Sequence, residues 1–345
     1  MKLVAFGEIM LRLMPPGYAR IEQMTSLDAR FGGAEANVAV TYARMGGEAA
    51  YITTLPDNPL GVAAIRALRA EGVDTGAINR GGPRIGTYYV ERGAAQRPSV
   101  VVYDRAGSSV SLADPASYDW DSLLAGADWF FFTGITPALS PACCQACRDA
   151  IAAAHRLGVR VACDVNYRAK LWSYEEAGRV MRELCQGVDY LIVNEEHAEK
   201  VLGIPSALDP ACKGKPVEIE LPARRAAAEI MAKQLMATFG LTAVAMTLRT
   251  TLSAEETMTG AVYYDGKEAY HSPDYRMRAV DRVGSGDAYT GGLLYALSRG
   301  DTPEKANRFA AASCALKHSV EGDFNMLTAA EIDRLCEQQN SRIER

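Results

Sequence analysis

Along the chain, short unbroken apolar runs alternate with longer stretches in which apolar residues recur every three to four positions. The runs at 3–7, 49–54, 128–133, 159–165, 188–193 and 242–248 predict strands. The periodic stretches near 34–46, 59–71, 141–157, 173–186, 195–202 and 223–239 predict helices. The strand runs are continuous rather than alternating, as strands covered on both faces require. A doubly wound α/β sheet of mostly parallel strands follows.

Two regions break this rhythm. Residues 86–112, GTYYVERGAAQRPSVVVYDRAGSSVSL, hold β-rich segments at 86–92 and 98–105 joined by the turn-rich GAAQRP. They predict an antiparallel hairpin inserted between helices. Residues 10–31 have no helical period and could join it in a small sheet. The expectation is one domain over 1–345, with lid insertions at approximately 10–31 and 84–112. A second hairpin, AVYYDGKEAYH, turns at Asp265-Gly266. The polar, Pro-rich stretch 203–222 reads as a surface loop.

Composition narrows the classes of function. The 345 residues are 48% apolar and carry a formal net charge of −5. No run of like charge forms a basic stripe, which argues against nucleic acid as a partner. No apolar stretch reaches the ~18 residues of a membrane span. The N-terminus reads as a short buried strand without the length or cleavage site of a signal peptide, so a cytoplasmic protein is expected. Of eight cysteines, Cys144 and Cys147 have a metal-compatible spacing, but no second close pair completes a four-ligand site. Helix-borne reduced thiols are the simpler reading. The four histidines show no metal spacing.

The segment most suggestive of chemistry is AVDRVGSGDAYTGGLLYALSRG, 279–300. Gly284-Ser285-Gly286-Asp287 precedes a helix expected from about Asp287 to Arg299. Small residues there let successive backbone N–H groups point into one concavity, and the helix dipole adds positive potential. A transferring phosphoryl group suits such a place. Asp287, held ionised at the helix start, would orient an acceptor hydroxyl and take its proton. The plainer alternative makes Asp287 an N-cap and the glycines a turn. Neither GxxxxGK[ST] nor GxGxxG after the first strand is present.

This segment resembles the C-terminal signature of the ribokinase and phosphofructokinase-B family, DTxGAGD followed by a helix with paired small residues. Asp281, Gly284, Ser285, Gly286, Asp287, Gly291 and Gly292 fit, while Arg282 stands where a small residue is usual. Gly32-Gly33-Ala34-Glu35-Ala36-Asn37-Val38-Ala39 is similar to the family's GGxxxNxA. The resemblance covers essentially the whole chain. It implies a ribokinase-like, three-layer α/β/α fold with a mostly parallel central sheet and a small β-sheet lid, ATP and Mg²⁺ as co-substrates, and often dimers through the lids. It makes Gly284, Ser285 and Gly286 an anion hole and Asp287 the catalytic base.

Asp164, Asn166, Arg168 and Trp172 follow strand 159–165, and Ile135 follows 128–133, where open α/β sheets place ligands. Tyr89, Tyr103, Asp104 and Arg105 lie on the lid. Each also has a bland reading: Arg168 as a surface charge, Trp172 as core, Tyr103–Arg105 as a solvated hairpin edge. Together they resemble the 2-keto-3-deoxygluconate kinase branch, with its GGAExNVA, YDRA-like and DxNxRxxLW motifs. By that resemblance Gly33, Asn37, Tyr89, Tyr103, Arg105, Ile135 and Arg168 contact a sugar acid, with Asp164 and Asn166 as further candidates. A carboxylate calls for cations, and Arg presents a planar fork to it. Asn194-Glu195-Glu196-His197 matches the family's NxxE region in part, His197 replacing the last Glu. Asn194 is assigned to the nucleotide, with Glu195 and Glu196 near Mg²⁺. Thr247 and Arg249 sit where relatives carry a nucleotide loop, although Arg249 could equally cap a helix at the surface. Asn325, in Gly322-Asp323-Phe324-Asn325, resembles the nucleotide edge of some members. The leading reaction is ATP-dependent 6-phosphorylation of 2-keto-3-deoxygluconate. The alternatives are a fructokinase or ribokinase acting on a neutral sugar, and a sugar-binding regulatory protein without catalysis.

Overall fold

The computed structural model describes residues 1–337, so the last positions of the expected 1–345 domain lie outside the described residues. Strand Trp129–Thr133 shows why the apolar runs are unbroken: Phe130 and Phe132 join one core cluster, Trp129 and Phe131 another, on opposite faces of one sheet. Lys2–Phe6 divides in the same way, with Val4 and Phe6 on one side and Leu3 and Ala5 on the other.

The large sheet runs, from one edge to the other, Ala269–His271, Glu256–Tyr264, Ala243–Thr251, Tyr190–Asn194, Arg160–Asp164, Trp129–Thr133, Lys2–Phe6 and Glu48–Ile52, with Tyr275–Arg278 also pairing Glu256–Tyr264. From Ala243–Thr251 to Glu48–Ile52 every pairing is parallel. The edge beyond is antiparallel, because the 252–255 turn and then the Asp265-Gly266 hairpin each reverse the chain there. Its Asp265 carboxylate accepts the amides of Lys267 and Glu268, and Gly266 takes φ +89°.

Helices cover both faces. Pro141–Leu157, Tyr174–Leu184 and Val217–Phe239 pack on one, and Ala34–Arg44, Ser285–Arg299 and Pro303–Lys317 on the other. Buried Cys143, Cys144 and Cys147 pack among apolar residues of the first face. Helix Val217–Phe239 begins earlier than its apolar period suggests and contains Pro222. One Pro near a helix start removes one backbone hydrogen bond, and the long apolar face beyond outweighs that loss. The expected 203–222 loop is shorter accordingly. No helix among the described residues is long and apolar enough to cross a membrane.

A separate small sheet runs Asp28–Gly32, Met10–Met14, Thr87–Glu91, Val100–Asp104. Met10, Met14, Tyr88 and Val90 form a buried cluster on one face, with Val101 and Tyr103 packed against it.

Candidate active site

The central parallel strands end on one edge of the large sheet. The polar residues after them converge with the small sheet on a cleft of about 610 Å³. Gly284 opens the helix at its floor. It takes φ +81°, and a Cβ there would lie 2.1 Å from the Asp323 carbonyl oxygen, so only glycine fits. The helix is Ser285–Arg299, which puts Asp287 on its third residue rather than at its cap. Ser285, Gly286 and Asp287 all line the cleft; the Ser285 amide reaches back to the Arg282 carbonyl at 3.4 Å, whereas the first-turn amides of Gly286 and Asp287 have no carbonyl one turn earlier in the helix to receive them.

Asn37, in the first turn of helix Ala34–Arg44, donates from Nδ2 to Asp287 Oδ2 at 2.7 Å. Burial pushes the Asp287 carboxyl up to about 7; the Asn37 hydrogen bond and Arg168 oppose the rise, while Asp164 and Asp323 add to it. The expectation of a firmly ionised carboxylate is therefore corrected: loss of water outweighs the helix start. Burial likewise lifts Asp164 to about 6, against the Asn166 amide that it accepts at 3.0 Å. Asn166 sits at φ +32° in this tight turn.

At the sugar end, Gly33, Asn37, Tyr103, Arg105, Ile135, Asp164, Asn166 and Arg168 all line the cleft. A Cβ on Gly33 would stand 2.0 Å from the Glu8 carbonyl oxygen, which explains its size. Tyr89 does not line it. Side chains on a strand alternate, and the inward residue of Thr87–Glu91 is Tyr88; Tyr89 pairs with half-exposed Val102 on the outer face. The two candidate arginines also differ. Arg105 is already neutralised: its Nε donates to Glu8 Oε2 at 2.7 Å, Nη2 reaches the same oxygen, and its guanidinium lies 5.5 Å from the Tyr103 ring centre. Arg168 donates to the neighbouring Tyr167 carbonyl at 3.1 Å and makes no salt bridge to a carboxylate among the described residues.

The other end of the cleft holds Asn194, Glu195, Glu196, His197, Thr247 and Arg249, together with Arg224 and Arg282. Asn194 caps helix Glu195–Lys200, accepting the His197 amide at 2.8 Å. Arg224 holds both Glu195 oxygens, and Glu196 is taken by Lys200 at 2.7 Å and Tyr174 at 3.0 Å. Burial lowers the His197 imidazole to about 4, so it is neutral near pH 7. Arg249 lies exposed on strand Ala243–Thr251, with Cys314 and His318 at the end of helix Pro303–Lys317 within reach of its charge. Asn325 does not reach the cleft. It is buried, donating to Ser313 Oγ at 3.1 Å and accepting the Leu327 amide.

Behind the glycine loop lies a buried ionic cluster that the motifs did not reveal. Arg12, from the small sheet, donates to Asp281 at 2.6 Å and to Asp323 at 2.7 Å, and Tyr88 also donates to Asp323. Burial works against the Arg12 charge, yet Asp323 and Asp281 outweigh it and hold the guanidinium above its usual range. Asp281 further accepts the amides of Val283 and Gly322, each at 3.1 Å. Asp281 and Asp323 lay within quoted motifs; Arg12, Tyr88 and Glu8 carried no sequence signal, because their partners are remote in the chain.

The comparisons agree with this geometry. Residues 1–330 match the model of the pfkB family carbohydrate kinases. A 2-dehydro-3-deoxygalactonokinase from Haloferax volcanii is 35% identical over 344 residues, 100% of this chain and 99% of that protein. The crystal structure of 2-dehydro-3-deoxygluconokinase from Thermotoga maritima superposes with a TM-score of 0.92 at 44% identity, covering 98% of each chain. That of a putative 2-keto-3-deoxygluconate kinase from Enterococcus faecalis gives 0.88 at 28%, covering 100% of this chain and 99% of the other. On its sequence, its fold and its glycine loop with Asp287, the chain belongs to the pfkB family of carbohydrate kinases.

Proposed function

We propose that this protein phosphorylates the 6-hydroxyl of 2-keto-3-deoxygluconate (2-dehydro-3-deoxygluconate), using ATP and Mg²⁺. The observation that carries the choice of substrate is Arg168: a cation lining the cleft, close enough to oppose the rise of Asp287, with no salt-bridged carboxylate among the described residues. A sugar acid supplies that partner; a neutral sugar leaves it unpaired. The relatives named for 2-dehydro-3-deoxy sugar acids support the same reading, and two of them differ in the gluco or galacto form of the acid.

In this reading the acid's carboxylate meets Arg168, and the acceptor hydroxyl lies against Asp287. Asn37 holds the Asp287 carboxylate in place while it accepts the hydroxyl proton. The first-turn amides of Gly286 and Asp287, beside Gly284 and Ser285, face the charge that develops on the transferred phosphoryl group. Arg249, Arg282 and Arg224, with these amides, make the other end of the cleft suited to a triphosphate. Glu195 and Glu196 would stand near Mg²⁺. Because Arg224 and Lys200 engage them, the ion would be held chiefly through water and phosphate. When bound, it neutralises phosphate charge. The small sheet acts as a lid, and its outer face, with Leu11, Leu13, Tyr89 and Val102, supports pairing of two chains lid to lid. A cytoplasmic location completes the reading.

The test is ADP release with 2-keto-3-deoxygluconate, its C4 epimer, fructose and ribose. The acids should exceed the neutral sugars in kcat/KM by at least ~10-fold, the scale of one charge-assisted contact. A preference for fructose would overturn the substrate class, and no sugar-dependent ADP would overturn the catalytic reading.

A further inference from the structure

The glycine loop does not stand alone; it rests on four buried charges drawn from four places in the chain. Arg12 is 1% exposed, Lys317 0%, Asp281 7% and Asp323 3%. Asp281 ties two loops together by accepting the amides of Val283, just before Gly284, and of Gly322. The Asp323 backbone packs directly on Gly284, and its carboxylate joins Arg12 and Tyr88 of the small sheet. Lys317, at the end of helix Pro303–Lys317, donates from Nζ to the carbonyls of Gly322 at 2.7 Å and Val320 at 3.1 Å. Its Cε lies 3.4 Å from where a Cβ on Gly284 would be. Two carboxylates so near an anion-binding loop would repel a phosphoryl group. Two cations beside them cancel that field.

We propose that Lys317 is a positioning residue for phosphoryl transfer: its buried ammonium, with Arg12, balances Asp281 and Asp323 and holds loop 320–323 against Gly284, so that the anion hole keeps its shape and its positive potential. This deepens the kinase reading and rests on it. A lysine used only as core filler would bury its stem and send its amine to water. This one buries its amine, and loss of water lowers its pKa while Asp281 and Asp323 oppose the fall; an ammonium there without that compensation is costly. The lid strand that carries Arg12 is thereby joined to the catalytic loop.

The balance has a readout that simple structural support lacks. Asp287 is faced by Asn37 from helix Ala34–Arg44, by Asp164 and Arg168 after strand Arg160–Asp164, and by Asp323 from the C-terminal loop. Lys317 in turn is faced by Asp281, Asp323, Arg12 and Asp287. Removing the Lys317 charge disfavours ionised Asp287, and removing the Asp323 charge favours it.

The experiment measures kcat, KM for ATP and the pH dependence of kcat/KM for Lys317→Met, Asp323→Asn and the double variant, using whichever sugar the wild type phosphorylates. Lys317→Met should lower kcat by ~10- to 100-fold, the effect of a displaced catalytic loop. Its acid limb should move up by on the order of 0.5 pH unit. In Asp323→Asn the limb should move down, and in the double variant it should return towards wild type. Acid limbs unmoved in both single variants, whatever their melting temperatures, would overturn the proposal. If Lys317→Met does not fold, Asp323→Asn decides alone: a downward shift supports the balance and an unmoved limb overturns it. A wild type inactive on every sugar would strike the functional reading only. The same shifts would then be read by ¹³C NMR titration of the Asp287 carboxyl.

Discussion

Arg168 and Arg105 look equivalent as sequence, and the structure predicts that truncating them has different consequences. Arg168→Ala removes a partly exposed cation with no salt-bridged carboxylate among the described residues, so folding should be nearly unaffected. What it loses is the substrate's carboxylate, a charge-assisted contact of ~1.5–3 kcal/mol, or roughly 10- to 150-fold in affinity for the acid. Arg105→Ala instead strands Glu8, which is 2% exposed and has its other oxygen, Oε1, already without a partner. Breaking a buried pair in this way costs ~3–5 kcal/mol, so this variant should melt several degrees below wild type as well as lose sugar affinity. The assay is steady-state kinetics with 2-keto-3-deoxygluconate and fructose on wild type and both variants, alongside thermal melts at one pH. Full selectivity for the acid in Arg168→Ala would refute the carboxylate assignment. Equal melting temperatures for the two variants would refute the dependence of Glu8 on Arg105.

Three further outcomes follow from the same geometry. Asp287→Asn should keep the Asn37 contact and sugar and ATP affinity but lower turnover at least ~100-fold, the scale of lost general-base catalysis; near-normal turnover would remove Asp287 from that role. Since the base must be deprotonated to act and burial lifts it to about 7, kcat/KM should fall as pH drops through about 7. A profile flat from about pH 5 to 8 would contradict this. If the small sheet closes over the sugar, amide exchange across 86–112 should slow on substrate binding, as read by mass spectrometry; unchanged protection there would mean that the segment is static.

Most of the sheet's strands and their covering helices were legible because both depend on local patterns, although helix Pro303–Lys317 and strand Tyr275–Arg278 were not among the predicted elements. An unbroken run such as WFFFT can satisfy only a strand buried on both faces, and the apolar period of 141–157 only a helix. The glycine loop was legible too, since the φ of Gly284 and the crowding at Gly33 leave no other residue room. Register was not. Tyr88 and Tyr89 are adjacent and chemically identical, and which of them faces the cleft depends on how Thr87–Glu91 pairs with Met10–Met14, a long-range choice. The Asp287 carboxyl is likewise set by the depth of the cleft and by Asn37, 250 residues away, rather than by its place on a helix. The state of each charge was the least accessible part. Glu8 neutralises Arg105 across 97 positions and Arg12 meets Asp323 across 311, and burial and pairing at such distances exist only once the chain has folded.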